Sequence, residues 1–306
     1  MKIREQVPLS KYTTFRIGGP ADWFVSVKNI PDMQKAVAWA REHKQSIFAL
    51  GGGSNLLVSD QGYRGLVIKM DFNRLDIAGD KVSVGAGVLV SYLLNTALNA
   101  GLVGLEFLAG IPGTVGGSIR GNAGTYGLAM SDVLTEIRYM DEDYALKNIS
   151  LPEAHFMYRH SIFKEKKYII LEADLQLKTG DVEAARKLVR ERLKYRQNTQ
   201  PNGPSAGCIF KNIPLDTVNP EKLKAKGIEL EQFTKYQKIP AGYLIDRLGL
   251  KGKRIGGAQV STKHANYIVN IGGATAEDVV MLVSFIKQQI RDEYGVQLQE
   301  EVQFIV

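Results

Sequence analysis

Leu50-Gly51-Gly52-Gly53-Ser54-Asn55-Leu56-Leu57 is the stretch that decides the fold. The apolar run Ser46 to Leu50 in front of it reads as a short buried strand, so a strand delivers the chain into a glycine loop. Upstream, Pro31 opens a helical stretch to about Lys44, with Ala36, Val37, Trp39 and Ala40 as its apolar positions. Downstream, Val82 to Gly85 reads as a strand, Val88 to Ala100 as a helix, and Gly101 as its left-handed stop. A second glycine-rich segment follows, with glycine at positions 110, 113, 116, 117, 121 and 124.

Glycine loops after strands suit anions, because successive backbone N–H groups can converge where no Cβ intervenes. The familiar templates fail here. Gly51 to Leu56 lacks the third glycine of a dinucleotide fingerprint, and no loop ends in Gly-Lys-Ser or Gly-Lys-Thr. Two such loops in one half of the chain point to a diphosphate held between them.

Beyond the loops, Ile169 to Leu177 reads as a strand. Val182 to Arg196 reads as an amphipathic helix with Ala185, Leu188, Val189 and Leu193 on one face. The turn-rich segment Gln200 to Gly207 marks the expected domain break. In the last third, Thr275 and Asp278 have capping-box spacing, Val279, Leu282, Val283, Ile286 and Ile290 form an apolar stripe, and Gly295 ends the helix. Val296 to Phe304 alternates as a strand, which would turn Glu300 inward with Val302.

With 306 residues, 44% hydrophobic and 23% charged, the chain has the make-up of two globular domains. Met1 to Phe15 carries Lys2, Arg4, Glu5 and Lys11 and no apolar run. The longest apolar tract, Leu93 to Val115, is interrupted by Asn95, Asn99, Glu106 and glycines. A cytoplasmic protein without membrane insertion is expected. Cys208 is the only cysteine, and His43, His155, His160 and His264 lack metal-site spacing, so neither a disulfide nor a bound metal is expected. The net charge of +7 is spread along the chain without a polybasic block, which favours a small polyanionic ligand over nucleic acid.

Six segments carry a family resemblance: Tyr12-Thr13-Thr14-Phe15-Arg16-Ile17-Gly18-Gly19-Pro20-Ala21, Leu50 to Leu57, Ala109-Gly110-Ile111-Pro112-Gly113-Thr114-Val115-Gly116-Gly117, Tyr158-Arg159-His160-Ser161-Ile162-Phe163-Lys164, Pro204 to Asn212 around Cys208, and Lys263-His264-Ala265-Asn266-Tyr267-Ile268-Val269-Asn270. With Glu301-Val302 near the C-terminus, they resemble the UDP-N-acetylenolpyruvoylglucosamine reductases, in family order and over nearly the whole chain.

The resemblance implies an α+β protein. A two-part FAD-binding domain of the vanillyl-alcohol-oxidase type over residues 1–198 would precede a smaller α+β substrate domain over 199–306. The chain resembles the shorter subclass, which lacks an inserted substrate-clamping segment. The implied activity is NADPH-dependent, FAD-mediated reduction of UDP-N-acetylglucosamine enolpyruvate to UDP-N-acetylmuramate in peptidoglycan synthesis. Gly51, Gly52, Gly53, Ser54, Asn55 and Leu56, with Gly110, Ile111, Pro112, Gly113, Thr114, Gly116, Gly117, Asn122, Ala123 and Gly124, would hold FAD non-covalently.

Reducing a vinyl ether that bears a carboxylate places a hydride on C3 and a proton on C2, with negative charge passing through an enolate. Such chemistry needs a cation or acid at the carboxylate, a proton donor and a hydride source. By resemblance, Arg159 stabilises the enolate, and its planar, permanently charged guanidinium suits a carboxylate. Cys208 stands where most relatives carry a serine proton donor, and a thiol of ordinary pKa roughly 8.5 is a competent acid near neutrality. For the carboxylic acid, strand alternation indicates Glu300, whereas the resemblance points to Glu301, which a bulge before Val302 would allow. Tyr158, Lys211, Asn212, Lys263 and His264 are the implied substrate-pocket residues.

The chain departs from the family between Asn212 and Ala241, where Ile213 replaces a proline and extra residues form an insert at about 213–240. Asn219-Pro220 and Gly227 mark both ends of a short helix, and the insert is expected to be a surface excursion. A covalent flavin oxidase is the rival enzyme class, yet no histidine lies in either glycine loop. A nucleic-acid-binding module is the non-enzyme rival, and it leaves Arg159, Cys208 and Glu301 without a role.

Overall fold

In a computed structural model describing residues 1–305, the Ile47–Leu50 strand runs parallel to Tyr63–Met70, with Leu50 opposite Lys69. These are the edge and inner strands, respectively, of a four-stranded sheet in the order Arg4–Pro8, Pro20–Val27, Tyr63–Met70, Ile47–Leu50. The Ile30–Glu42 helix covers it. Asn29 caps that helix by accepting from Asp32 N at 2.8 Å, and Met33, Ala36, Val37 and Ala40 form the buried stripe.

A second sheet of the same compact unit is antiparallel, ordered Leu146–Ser150, Leu134–Met140, Ile169–Gln176, Lys81–Gly85, Leu75–Ala78. The Val90–Asn99 helix buries Val90, Leu93, Leu94, Ala97 and Leu98 in its core, and Gly101 closes it at φ 82°. The helix Val182–Thr199 departs from expectation. Only Ala185 and Val189 are buried, while Leu188 and Leu193 are 37% and 45% exposed. A helix touching its neighbours along a narrow seam buries about one residue per turn, so flanking leucines stay in solvent.

The chain divides into two compact units. Met1–Val7, Ala21–Gly52 and Arg64–Arg196 make the first; Pro8–Pro20, Gly53–Tyr63 and the chain from Gln197 onward make the second. The break at Gln197 lies beside the expected one, and two N-terminal segments, Pro8–Pro20 and Gly53–Tyr63, group with the second unit. Phe15, Ile17 and Leu57 are at most 2% exposed in the second unit's core, and this burial draws their segments out of the N-terminal half.

In the second unit, the Ala276–Tyr294 helix has the expected capping box between Thr275 and Asp278, and Gly295 ends it at φ 69°. Asp60 adds a cap from far upstream, accepting from Ala276 N at 2.8 Å. Val279, Leu282, Val283, Ile286 and Ile290 all enter the core. The expected strand over 296–304 is broken up. Residues 299–301 pair with 209–211, and only Gln303–Ile305 forms a strand, parallel to Leu56–Val58.

The insert is anchored. Its helix Pro220–Ala225 is capped by Asn219 as expected, but Leu223, Ile228 and Ile239 are fully buried in the second core. It is therefore a largely exposed excursion, as expected, anchored in the second core by these apolar residues. Leu223→Ala is expected to destabilise the protein by about 2–5 kcal/mol in chemical denaturation, the cost of a cavity in a packed core. A change below ~0.5 kcal/mol would show that the insert is dispensable.

Candidate functional site

In the first unit the two glycine segments meet. A Cβ on Gly52 would lie 2.6 Å from Gly113 Cα, and one on Gly51 would lie 2.6 Å from Thr114 Oγ1. Only hydrogen fits there, so backbone approaches backbone with nothing between. Thr114 is 2% exposed, and its hydroxyl has no hydrogen-bond partner among the described residues. A buried, unpaired hydroxyl costs free energy unless something supplies an acceptor. A buried hydroxyl donor beside two closely packed glycine segments is the chemistry that a bound phosphate calls for.

Other glycine-segment residues serve the fold. Gly116 donates to Ala86 O at 3.0 Å, and a Cβ there would lie 2.7 Å from Ala86 Cβ. Gly124 pairs with Ala129 across a hairpin, and Gly110 lies against the Arg196 side chain. Ile111 packs partly into the first core, and Ala123 donates to Ser118 O. Asn122, expected to contact the cofactor, has both ends of its carboxamide engaged: Oδ1 accepts from Ser131 N and Nδ2 donates to Met157 O, each at 3.1 Å.

That second bond leads to Arg159. Met157 and His160 exchange N–H···O bonds of 3.2 and 3.1 Å, so Tyr158 and Arg159 form the tip of a tight turn. Arg159 sits at φ 57°, a left-handed conformation that costs a non-glycine residue on the order of 1–3 kcal/mol. Lys164 Nζ holds the turn by donating to Arg159 O at 2.9 Å, and His160 pairs with Glu165 at 2.6 Å. The guanidinium stacks over the Tyr158 ring at 5.2 Å.

In the second unit, Cys208 and Glu301 lie on paired segments. Glu301 N donates to Ile209 O at 2.7 Å, Lys211 N to Gln299 O at 2.9 Å, and Phe210 bridges Glu300. Val302 N also points at Ile209 O, at 3.4 Å, so consecutive donors share one acceptor and the alternation breaks there. Glu300 pairs with Lys287 at 2.6 Å. Both Glu301 and Cys208 are half-buried.

Asn55 reaches Glu301 directly. Its Nδ2 donates to Glu301 O at 3.1 Å, and its own carbonyl accepts from Gln303 N at 3.0 Å, while neighbouring Leu56 pairs with Gln303. Gly53, at φ 63°, accepts from Thr14 N. Asn212 Oδ1 accepts from Ala241 N, and Lys263 Nζ donates to Gln197 O, so both have structural partners. Asn266, which the sequence left without a role, is 3% exposed and bonds both backbone groups of Phe210. Its only sequence signal was its place in the Lys263 to Asn270 segment that carries the family resemblance.

His264 is largely buried, and burial lowers its pKa from the ordinary 6.5. The neutral ring accepts from Asn266 N through Nδ1 at 3.2 Å. Below pH 6.5 the unfolded chain takes up a proton that the folded ring resists, so stability falls as pH drops toward the lowered folded value. His264→Gln is expected to flatten that acid slope in denaturation curves taken across this window; an unchanged slope would assign it to other groups.

Among the described residues, no helix is long and apolar enough to cross a membrane, and no group of His, Cys, Asp or Glu is arranged to hold a metal.

Comparison with known proteins adds two family matches. Residues 21–149 match an FAD-binding domain, and residues 197–305 match the C-terminal domain of UDP-N-acetylenolpyruvoylglucosamine reductase. A Bacillus velezensis protein of that name is 40% identical over 99% of this chain and 94% of its own length. A Bacillus licheniformis relative is 41% identical with the same coverage. The crystal structure of the Thermus caldophilus reductase superimposes with a TM-score of 0.80 at 34% identity, covering 100% of both chains.

Proposed function

This chain belongs to the UDP-N-acetylenolpyruvoylglucosamine reductase family, and on that footing we propose that Arg159, Cys208 and Glu301 carry its chemistry. It is an FAD-dependent oxidoreductase that reduces the enolpyruvyl group of a UDP-sugar in peptidoglycan precursor synthesis. When bound, FAD accepts hydride from NADPH and supplies it to the substrate double bond.

The first compact unit is the FAD-binding body, with Gly51, Gly52, Gly113 and Thr114 at the diphosphate. Lys211, Asn212, Lys263 and His264 of the second unit bind the UDP-sugar, and Tyr158 is a further substrate-binding residue. Arg159 stabilises the enolate with its planar guanidinium, carried at the tip of a turn whose left-handed backbone supports this role. Cys208 donates the proton to C2. Glu301 is the acid at the substrate carboxylate, while the neighbouring Glu300 is neutralised by Lys287. The observation that carries this reading is the pairing of residues 209–211 with 299–301, which sets the donor's segment and the acid's segment side by side.

The test is anaerobic mixing of purified protein with NADPH and then with the enolpyruvyl substrate, following flavin absorbance and UDP-N-acetylmuramate. Arg159→Ala is expected to keep the first step and slow the second by roughly 10²–10³-fold, as when one oxyanion-stabilising group is removed. Equal rates for parent and variant in the second step would remove Arg159 from the mechanism. A parent protein that yields no UDP-N-acetylmuramate would overturn the reading as a whole.

A further inference from the structure

We propose that Asn266 is a positioning residue for the proton-transfer half of the reaction, holding the Cys208 segment through a side-chain imitation of a strand neighbour. Its carboxamide accepts from Phe210 N at 3.0 Å through Oδ1 and donates to Phe210 O at 2.8 Å through Nδ2. Its backbone carbonyl takes Ile209 N at 2.8 Å. Cys208 itself bridges Tyr267. The segment from Cys208 to Lys211 is thus gripped on this side, while its opposite side pairs with 299–301.

The arrangement is demanding. An antiparallel neighbour would ordinarily offer main-chain groups to both N–H and C=O of Phe210. Here one amide side chain does so, its donor and its acceptor lying on separate atoms at the end of one short arm. Buried at 3% exposure, the pair cannot exchange its partners for water. Two other asparagines act alike: Asn55 bonds Glu301 O, and Asn122 bonds Met157 O beside the Arg159 turn. Each residue assigned to the chemistry therefore stands on, or close to, backbone gripped by a carboxamide. Asn266 is the one whose grip takes both groups of a single residue.

This inference rests on Cys208 as proton donor, and its test separates the two. Asn266→Asp is nearly isosteric, but an ionised carboxylate turns an acceptor toward Phe210 O. When protonated, the same side chain again offers one donor and one acceptor. The measurement is rapid mixing at a series of pH values, reading NADPH reduction and substrate reoxidation separately and dividing each by the parent rate.

The expected result is a reduction step within about twofold of the parent at every pH. The reoxidation step should fall behind by roughly 10²-fold at high pH, the scale of a displacement near 1 Å, and should recover as pH is lowered. Asn266→Ser, which cannot titrate in that range, should show a deficit that does not change with pH. Labelling of Cys208, the only thiol in the chain, should change rate in both variants.

Parent-like reoxidation at every pH in both variants overturns the proposal. So does an equal loss in both steps, a deficit in Asn266→Asp that ignores pH, or loss of bound FAD in both variants, since each marks Asn266 as a general structural residue. If Cys208→Ala itself reoxidises normally, the donor assignment fails instead, and Asn266 has nothing to position.

Discussion

Cys208→Ala is expected to accept hydride from NADPH at the parent rate and to reoxidise with the enolpyruvyl substrate about 10²–10⁴-fold more slowly, the range over which a positioned acid accelerates proton transfer. The asymmetry follows from the chemistry. Hydride arrival at the cofactor involves no proton at C2, whereas saturating the double bond does. Cys208→Ser should recover much of the loss, since a hydroxyl of similar size can relay a proton, although its higher intrinsic pKa slows the step. Truncation to alanine at a half-buried site removes little volume, so bound FAD and melting temperature should stay near the parent values. Rapid mixing resolves the steps. Parent-rate reoxidation of the alanine variant would make the thiol a packing residue.

Gly52→Ala is the second large effect, and it acts on cofactor binding. The added methyl would stand 2.6 Å from Gly113 Cα and 3.2 Å from its carbonyl carbon, and backbone on both sides leaves no flexible group to move aside. Separating the glycine segments by the missing distance costs about 1–3 kcal/mol of overpacking. It also carries Thr114 away from whatever its hydroxyl was to meet. Roughly ten- to hundredfold weaker FAD binding is expected, read as loss of visible absorbance on dialysis and recovered by titrating FAD back. Gly121→Ala is the control. It lies in the same segment, but its methyl would sit 3.5 Å from Gly117 O, an ordinary contact. Equal FAD retention by both variants would sink the cradle.

What the sequence disclosed was local. Gly101 and Gly295 end their helices in left-handed conformations, Asn219 caps the insert's helix, and the Thr275–Asp278 box forms, because each signal lies within a few residues of its effect. The glycine loops were legible for the same reason. What stayed hidden joins residues far apart in the chain: Asp60 capping a helix at Ala276, Asn55 bonding Glu301, Phe15 and Leu57 buried with the C-terminal helix. Strand alternation favoured Glu300, and only the shared acceptor at Ile209 breaks that phase. The insert's buried anchors stayed hidden because a six-residue helix is too short to show which of its apolar residues face a core.

The parallel pairing of Gln303–Ile305 with Leu56–Val58 has a consequence for how the protein is made. Ribosomes deliver chains from the N-terminus, and contacts between distant residues form late. The residues after Gly53 emerge early, yet Asn55 gains its bonds to Glu301 and Gln303 only after at least 246 further residues have been translated. A polypeptide halted before Glu301 would carry a complete glycine segment whose far end lacks these anchors.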